Sequence, residues 1–373
     1  MAFPYNADQV GGSTVSSLTL IRELVRLDVK VTVILHGEGP LEADCRDLNV
    51  TIVLAPALSQ RPMADRADGF HFRNLLSTPK LVKILRNTKP DIVHINDLSM
   101  LRTWAPVTTI CRVPMVKHWR STFKRSVSVY AGLMASQRVI AISHYNERTL
   151  PTRIRAKTVL EWNPSDVILD DDERARAKLE VRKTLGLPAG AKLIGVFGNH
   201  SLRKRTHIIA DVIAALKENG DVYGVACGKR AEPYDHLLDE KIEAYGLKNK
   251  LFKPGFVSPV TKWIAGCDLV LAPAVREPFG RSFLEAAAAG TPLIMSSDSG
   301  AADLIEHEHS GLLIDPEDLN GWVIQSSRLL KDKDFAESLI LAARSSLDRF
   351  SAPSHAKRVR DLYEQLLSGG ASN

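Results

Sequence analysis

In the stretch CDLVLAPAVREPFGRSFLEAAAAGTPLIMSSDSG, Glu277 and Glu285 flank Gly280 with seven residues between them. The apolar run predicts a strand ending at Ala272, a loop Glu277-Pro278-Phe279-Gly280, and a helix over 281–289. Gly290 suits the position just past that helix, and Thr291-Pro292 launches the next strand. An anion docked on the amides near Gly280, Arg281 and Ser282 would lie between the two carboxylates, because bare N–H groups and the helix dipole attract negative charge there. One carboxylate could then reach sugar hydroxyls and the other a ribose. Two glutamates at this spacing are common by chance, as a helix carboxylate and a solvated loop residue. Framed by Pro-Phe-Gly and an alanine run, the pattern is specific.

Two further stretches suit phosphate. In GNHSLRKRTH, Arg203, Lys204 and Arg205 precede a predicted helix over 206–217. Three cations at a helix start oppose its dipole unless an anion sits there. At the amino terminus, Gly11 and Gly12 lie directly before a helix over 13–27, with Ser13 or Thr14 as its N-cap. A glycine turn of this kind follows a buried strand in nucleotide-binding folds, yet only Met1, Ala2 and Phe3 precede Pro4. The expectation is a truncated first strand, with the start set inside it or Met1–Phe3 a clipped remnant. The amino-terminal domain would then be the less stable one.

Other patterns carry no chemistry. The acidic run at 170–172 imitates an Asp-x-Asp metal motif but falls in a polar linker, and His307-Glu308-His309 lacks the spacing of a zinc helix, so no metal site is expected. GEGPLE lacks the third glycine of a dinucleotide fingerprint. The four cysteines, Cys45, Cys111, Cys227 and Cys267, are far apart and read as reduced core residues. A net charge of +6 suits nucleic acid, anionic lipid or a phosphorylated ligand. Aromatics at 6% without basic interleaving argue against nucleic acid. No run is long enough for a membrane span, and no signal peptide opens the chain.

These residues need a scaffold. Strands at 29–35 and 50–55 and within DIVHI, PMVKH and QRVIAIS alternate with helices near 13–27, 78–89, 98–110 and 123–136. Strand–helix alternation at this spacing means a parallel sheet covered on both faces. A polar, proline-marked linker with a short helix occupies 163–190. A second alternation starts at KLIGVFG, and a helix at about 353–367 ends the chain. The 373 residues thus predict α/β architecture with two doubly wound, Rossmann-like domains facing across a cleft, 1–162 and 191–352, the last helix packing back on the first domain.

Taken in order, GGS, KPDIVHIND, VIAISHYNERTL, VLEWNPSD, VFGNHSLRKRTHII, KPGFVS, EPFGRSFLEAAAAGTPLI and FSAPSHAKRVRDLYEQLL resemble the retaining GT-B glycosyltransferases of family 4 type (glycosyl transferases group 1) over nearly the whole chain. The resemblance implies that Glu277 binds hydroxyls of the donor sugar, with amides of Phe279 and Gly280 beside it, and that Glu285 takes the ribose. The Gly11–Gly12 turn would face the diphosphate or the acceptor. Lys204 matches the lysine that neutralises the leaving diphosphate. Asn199 stands where the family has arginine, which leaves Arg203 or Arg205 to supply the second charge. His118 is the candidate for an acceptor-side histidine that contacts the sugar or orients the acceptor, although spacing from Pro114 puts that position nearer Arg120.

The activity so implied is metal-independent, cofactor-free hexosyl transfer, with retention, from a nucleoside diphosphate sugar to a glycan or glycolipid hydroxyl in cell-surface polysaccharide synthesis. Base readout falls near 228–230 and 255–257, and acceptor choice in loops such as 56–76. A cytoplasmic protein is expected, peripheral at the inner face of the membrane. Trp119 and Phe123 with Lys117, Arg120, Lys124 and Arg125 are the candidate surface for anionic lipid. Two other readings fit the same fold: a nucleotide-sugar epimerase, and a non-catalytic binding relative.

Overall fold

The computed structural model describes residues 1–8, 11–59, 72–122, 126–165, 168–217, 221–230 and 234–369. Seven parallel strands form in the first part of the chain: β1 (Ala2–Asn6), β2 (Thr32–His36), β3 (Thr51–Ala55), β4 (Val93–Ile95), β5 (Met115–Trp119), β6 (Arg138–Ala141) and β7 (Thr158–Leu160). Their order across the sheet is β3-β2-β1-β4-β5-β6-β7, so the direction of winding reverses between β1 and β4.

The first strand is five residues long, like β2, and runs through Pro4 and Tyr5. β1 pairs with β2 over its full length, from Ala2 opposite Thr32 to Asn6 opposite His36. Towards β4 the ladder is confined to Ala2, whose N–H donates to Ile92 O at 2.9 Å. Alternate residues of a parallel strand point their N–H groups at the same neighbour, so the next donor towards β4 falls on residue 4. Pro4 has no N–H, and the ladder stops there. The proline that reads as a strand boundary therefore removes one hydrogen bond on one side, a loss of about 1 kcal/mol, and leaves the other side intact.

Helices cover both faces of this sheet. Leu20, Ile21 and Leu24 of the helix Gly12–Arg26 pack on one face beside Ala356, Val359 and Tyr363 of the terminal helix Ala352–Gly369. Leu81, Leu85, Met100, Leu101, Trp104 and Leu133 fill the other. Glu161 anchors the terminal helix, accepting from Arg358 Nε at 2.8 Å and Nη2 at 2.7 Å.

A second sheet contains β8 (Lys192–Phe197), β9 (Val222–Cys227), β10 (Leu251–Gly255), β11 (Leu269–Ala272), β12 (Leu293–Ser296) and β13 (Leu312–Ile314). They are ordered β10-β9-β8-β11-β12-β13, all parallel. The chain divides into two compact units, Met1–Ser165 with Phe350–Asn373, and Asp166–Arg349.

Most of the stretch read as a linker is a built part of the second unit. Residues Asp171–Thr184 form a helix with a capping box, in which Glu173 N donates to Asp170 at 2.7 Å and Asp170 N to Glu173 at 3.0 Å. Its Ala177 and Val181 are buried, and Val181 lies so close to Gly266 that a Cβ there would come within 2.5 Å. The acid run at 170–172 is thus a cap and a first turn. Asp and Glu there complement the helix dipole.

The lipid-facing patch expected around Trp119 is also revised. Lys117 and Trp119 lie in β5, not on an exposed helical face, and both are buried. The Lys117 ammonium reaches the carbonyls of Ile95 at 3.4 Å and Asp97 at 3.3 Å, and burial pushes its pKa down to about 7. Phe123, Lys124 and Arg125 lie outside the described residues, as does most of the loop 56–76. Among the described residues no helix is long and apolar enough to cross a membrane.

Candidate active site

In the second unit the strand order reverses between β8 and β11, and ligands of open parallel sheets collect beyond the carboxyl ends of the strands at such a point. The loops after β8 and β11 meet there, Val275 N donating to Arg203 O at 2.9 Å. A third loop braces them: Arg276 N donates to Asp298 O, and Gly300 N to Glu277 O, both at 2.7 Å. Beside them a Cβ on Gly228 would fall 2.0 Å from the carbonyl oxygen of Gly198. Only glycine permits that backbone approach.

Into this frame project Glu277, Lys204 and Arg203. Glu277 Oε2 accepts from Lys204 Nζ at 2.8 Å and from Arg203 Nη1 at 2.5 Å, and its side chain is 17% exposed. Burial alone would raise its pKa. The nearby ammonium and guanidinium outweigh that and hold the carboxyl below the ordinary range. Arg205 turns elsewhere, with φ of +51°, and pairs with Glu317. The following helix begins only at Ile208, after His207. The three cations therefore precede the helix instead of occupying its first turn, and two carboxylates already supply the counter-charge.

The helix Arg281–Ala289 has the bounds the sequence predicts. Gly280 at φ +100° and Gly290 at φ +63° delimit it, both in the left-handed region that favours glycine. No side chain caps its start. Phe279 is buried behind the loop, while Arg281 and Ser282 are half-buried. Glu285, one turn in, accepts from Arg281 Nε and Nη2 at 3.3 Å. Asn199 is exposed and accepts from Lys229 N at 3.3 Å. It brings no charge, and of the two arginines offered as substitutes, Arg203 is the one beside Lys204.

Gly11, Gly12 and His118 belong to the other unit. Gly11 itself, extended at φ −162°, is the N-cap of the first helix, which displaces Ser13 and Thr14 into its first turn. Both glycines are exposed. His118 is fully buried, with Nδ1 3.3 Å from Arg120 Nη2 and its ring 5.4 Å from His94 and 6.0 Å from His355. Burial first, then Arg120 and the two neighbouring imidazoles, push its pKa well below the ordinary value. Its side chain has no exposed surface.

Two supports of the site have weak sequence signals. Arg205 and Glu317 are 112 positions apart, so no local pattern joins them. Buried His200 and Asp235 pair behind Asn199, and Arg230 closes on the same carboxylate. An aspartate beginning a helix directly after the GKR loop is the only hint of that cluster. Among the described residues no group of three His, Cys, Asp or Glu side chains is placed to hold a metal ion.

Residues 177–346 match the family model for glycosyl transferases group 1, and residues 10–160 that for glycosyltransferase family 4. The chain belongs to the GT-B glycosyltransferases of family 4 type. An uncharacterised glycosyltransferase of Methanocaldococcus jannaschii is 26% identical over 310 residues, 76% of this chain and 78% of that one. The lipopolysaccharide core biosynthesis mannosyltransferase LpsB of Rhizobium meliloti is 29% identical over 217 residues, 55% of this chain and 62% of that protein, under two thirds of its length. Among solved structures, Anabaena HepE in complex with UDP-glucose aligns with a TM-score of 0.82 at 20% identity, covering 98% of this chain and 99% of that one. The last likeness is one of fold. This glycosyltransferase therefore has the two parallel-sheet domains of its family, and its second domain gathers Glu277, Lys204 and Arg203 at the β8/β11 reversal.

Proposed function

We propose that this glycosyltransferase moves a hexosyl group from a nucleoside diphosphate sugar to a hydroxyl acceptor with retention of anomeric configuration, without a metal ion, in building a cell-surface polysaccharide or glycolipid. The observation that carries this reading is the convergence of Lys204 and Arg203 on Glu277 at the β8/β11 reversal, next to an uncapped helix start. HepE, solved with UDP-glucose, and LpsB, a mannosyltransferase, support a nucleotide-sugar donor and a glycan product.

In this account the diphosphate replaces Glu277 as the partner of Lys204 and Arg203, with further oxygens on the amides of Gly280 to Ser282. Glu277, released, accepts from sugar hydroxyls, and Glu285 from the ribose. The acceptor oxygen bonds to the anomeric carbon on the face from which the phosphate oxygen departs. That phosphate oxygen takes the acceptor proton, leaving a nucleoside diphosphate and a glycoside. The two cations stabilise charge as it gathers on the leaving group, and the carboxylates fix the sugar's orientation.

The test begins with a thermal-shift screen of UDP, GDP, ADP and their sugars, followed by NMR of the product formed with acceptor. An α-linked product from an α-linked donor supports the proposal. A β-linked product refutes retention, and an epimerised nucleotide sugar formed without acceptor replaces transfer with epimerisation.

A further inference from the structure

The second unit holds another cavity, at the opposite ends of its strands from Glu277. Lys192 opens β8, Asp268 precedes β11 and Pro292 precedes β12, so its floor is the amino-terminal edge of the sheet. β8 is six residues long, which separates this cavity from the β8/β11 reversal by about 20 Å along the strand. Its volume of about 700 Å³ suits a small organic ligand.

Its charges do not balance. Five cations line it: Arg174, Lys178, Lys192, Lys333 and Arg344. Against them stand Asp171, Asp268 and Glu337. Asp171 is taken by Arg174 at 3.0 Å. Asp268 is taken by Lys178 at 2.9 Å and Arg182 at 3.1 Å, and it also accepts from Leu193 N at 2.8 Å. Lys192, Lys333 and Arg344 make no ion pair among the described residues. Arg344 donates one Nη2–H to Leu169 O at 3.1 Å, while its Nη1 is buried with no hydrogen-bond partner among those residues. An unsatisfied buried guanidinium N–H is costly, which leaves Arg344 with charge to share at the cavity wall.

The rest of the wall is apolar. Leu329, Leu330 and Ile340 line it, and Leu341 stands at its edge 62% exposed. A surface leucine beside three unpaired cations fits a ligand with a charged head and a hydrocarbon body.

We infer that this cavity binds an organic phosphate carrying a short alkyl chain, its phosphate against Arg344, Lys192 and Lys333 and its chain against Leu330, Ile340 and Leu341. The site is separate from the donor site and does not rest on the reading of it. Calorimetry on the full chain, with n-octyl phosphate below its micelle concentration and with or without UDP, tests this. Saturable one-to-one binding is expected in both conditions. It should be at least tenfold weaker in the double variant Lys192→Gln with Lys333→Gln and unchanged in Lys204→Ala. Inorganic phosphate should bind more weakly and n-octyl glucoside not measurably. A far-UV circular dichroism spectrum and a cooperative thermal transition matching wild type report that the double variant is folded. No saturable binding, equal affinity in the double variant, loss in Lys204→Ala, or equal binding of phosphate alone or of the glucoside would each overturn the assignment.

Discussion

Both units reverse their winding beside their first strand, yet the two reversal points hold opposite chemistry. Between β8 and β11, Lys204 and Arg203 share one carboxylate in a partly open ion cluster. Between β1 and β4 the polar groups are buried and hydrogen-bonded to one another. The Tyr5 hydroxyl bonds to Ser17 and accepts from Asn96 Nδ2 at 3.1 Å. His94 Nδ1 lies 2.6 Å from the Tyr363 hydroxyl, with His118 and His355 in line beyond. The difference shows what a shared topology leaves open. Accessible charges held by one another can exchange partners with a ligand, whereas enclosed dipoles fix the helix that covers them. The first arrangement makes a site, and the second fastens the terminal helix.

Acid should separate the two regions most. His94, His118 and His355 are all depressed, chiefly by burial, from an ordinary value of 6.5. An unfolded chain binds those protons as the pH falls through that value, and the folded chain does not. Stability is therefore greatest above about pH 6.5 and falls as the pH drops below it. In the second unit His207 is lowered likewise, but it is only half-buried and stands apart from any such cluster. Amide exchange, corrected for intrinsic rates, should show β1, β4 and β5 losing protection between pH 7.5 and 5.5 well before β8 and β11. Equal losses would dissolve the contrast.

Lys204→Ala should remove about 2–4 kcal/mol of transition-state stabilisation, a loss of roughly 30- to 1000-fold in kcat/KM, and Glu285→Ala a comparable amount. Wild-type turnover in either variant would remove the role assigned to it. Asn199→Arg is a smaller change. A new guanidinium near the cation pair should tighten UDP by severalfold at most, through partly screened Coulomb attraction, and titration at two salt concentrations would show that gain shrinking as salt rises. Addition of EDTA should leave turnover unchanged; a loss restored by a divalent cation would show that the cations of this site do not suffice.

Much of the fold, and the frame of the site, can be read from the amino-acid sequence. The helix Arg281–Ala289 reads directly because glycine stands at both left-handed ends and an alanine run lies between. The strand–helix alternation reads from β-branched runs separated by capped helices. What does not read has particular causes. Pro4 looks like a strand boundary until the side from which its N–H is missing is known. The polar residues 171–184 look like a linker because only Ala177 and Val181 of that helix are buried. Lys117 and Trp119 look amphipathic because a buried lysine is rare, and its carbonyl partners come from the end of another strand. The pairing of Glu277 with Lys204 spans 73 positions, and the fold alone brings it about.

The most direct measurement is calorimetric titration of UDP into wild type, Lys204→Ala and Glu277→Gln. If the diphosphate displaces Glu277 from the cations, Lys204→Ala weakens UDP at least tenfold. Glu277→Gln then binds UDP as tightly as wild type or more so, while sugar transfer collapses. Unchanged affinity in Lys204→Ala, or equal weakening in both variants, would contradict the exchange of partners at the cation pair.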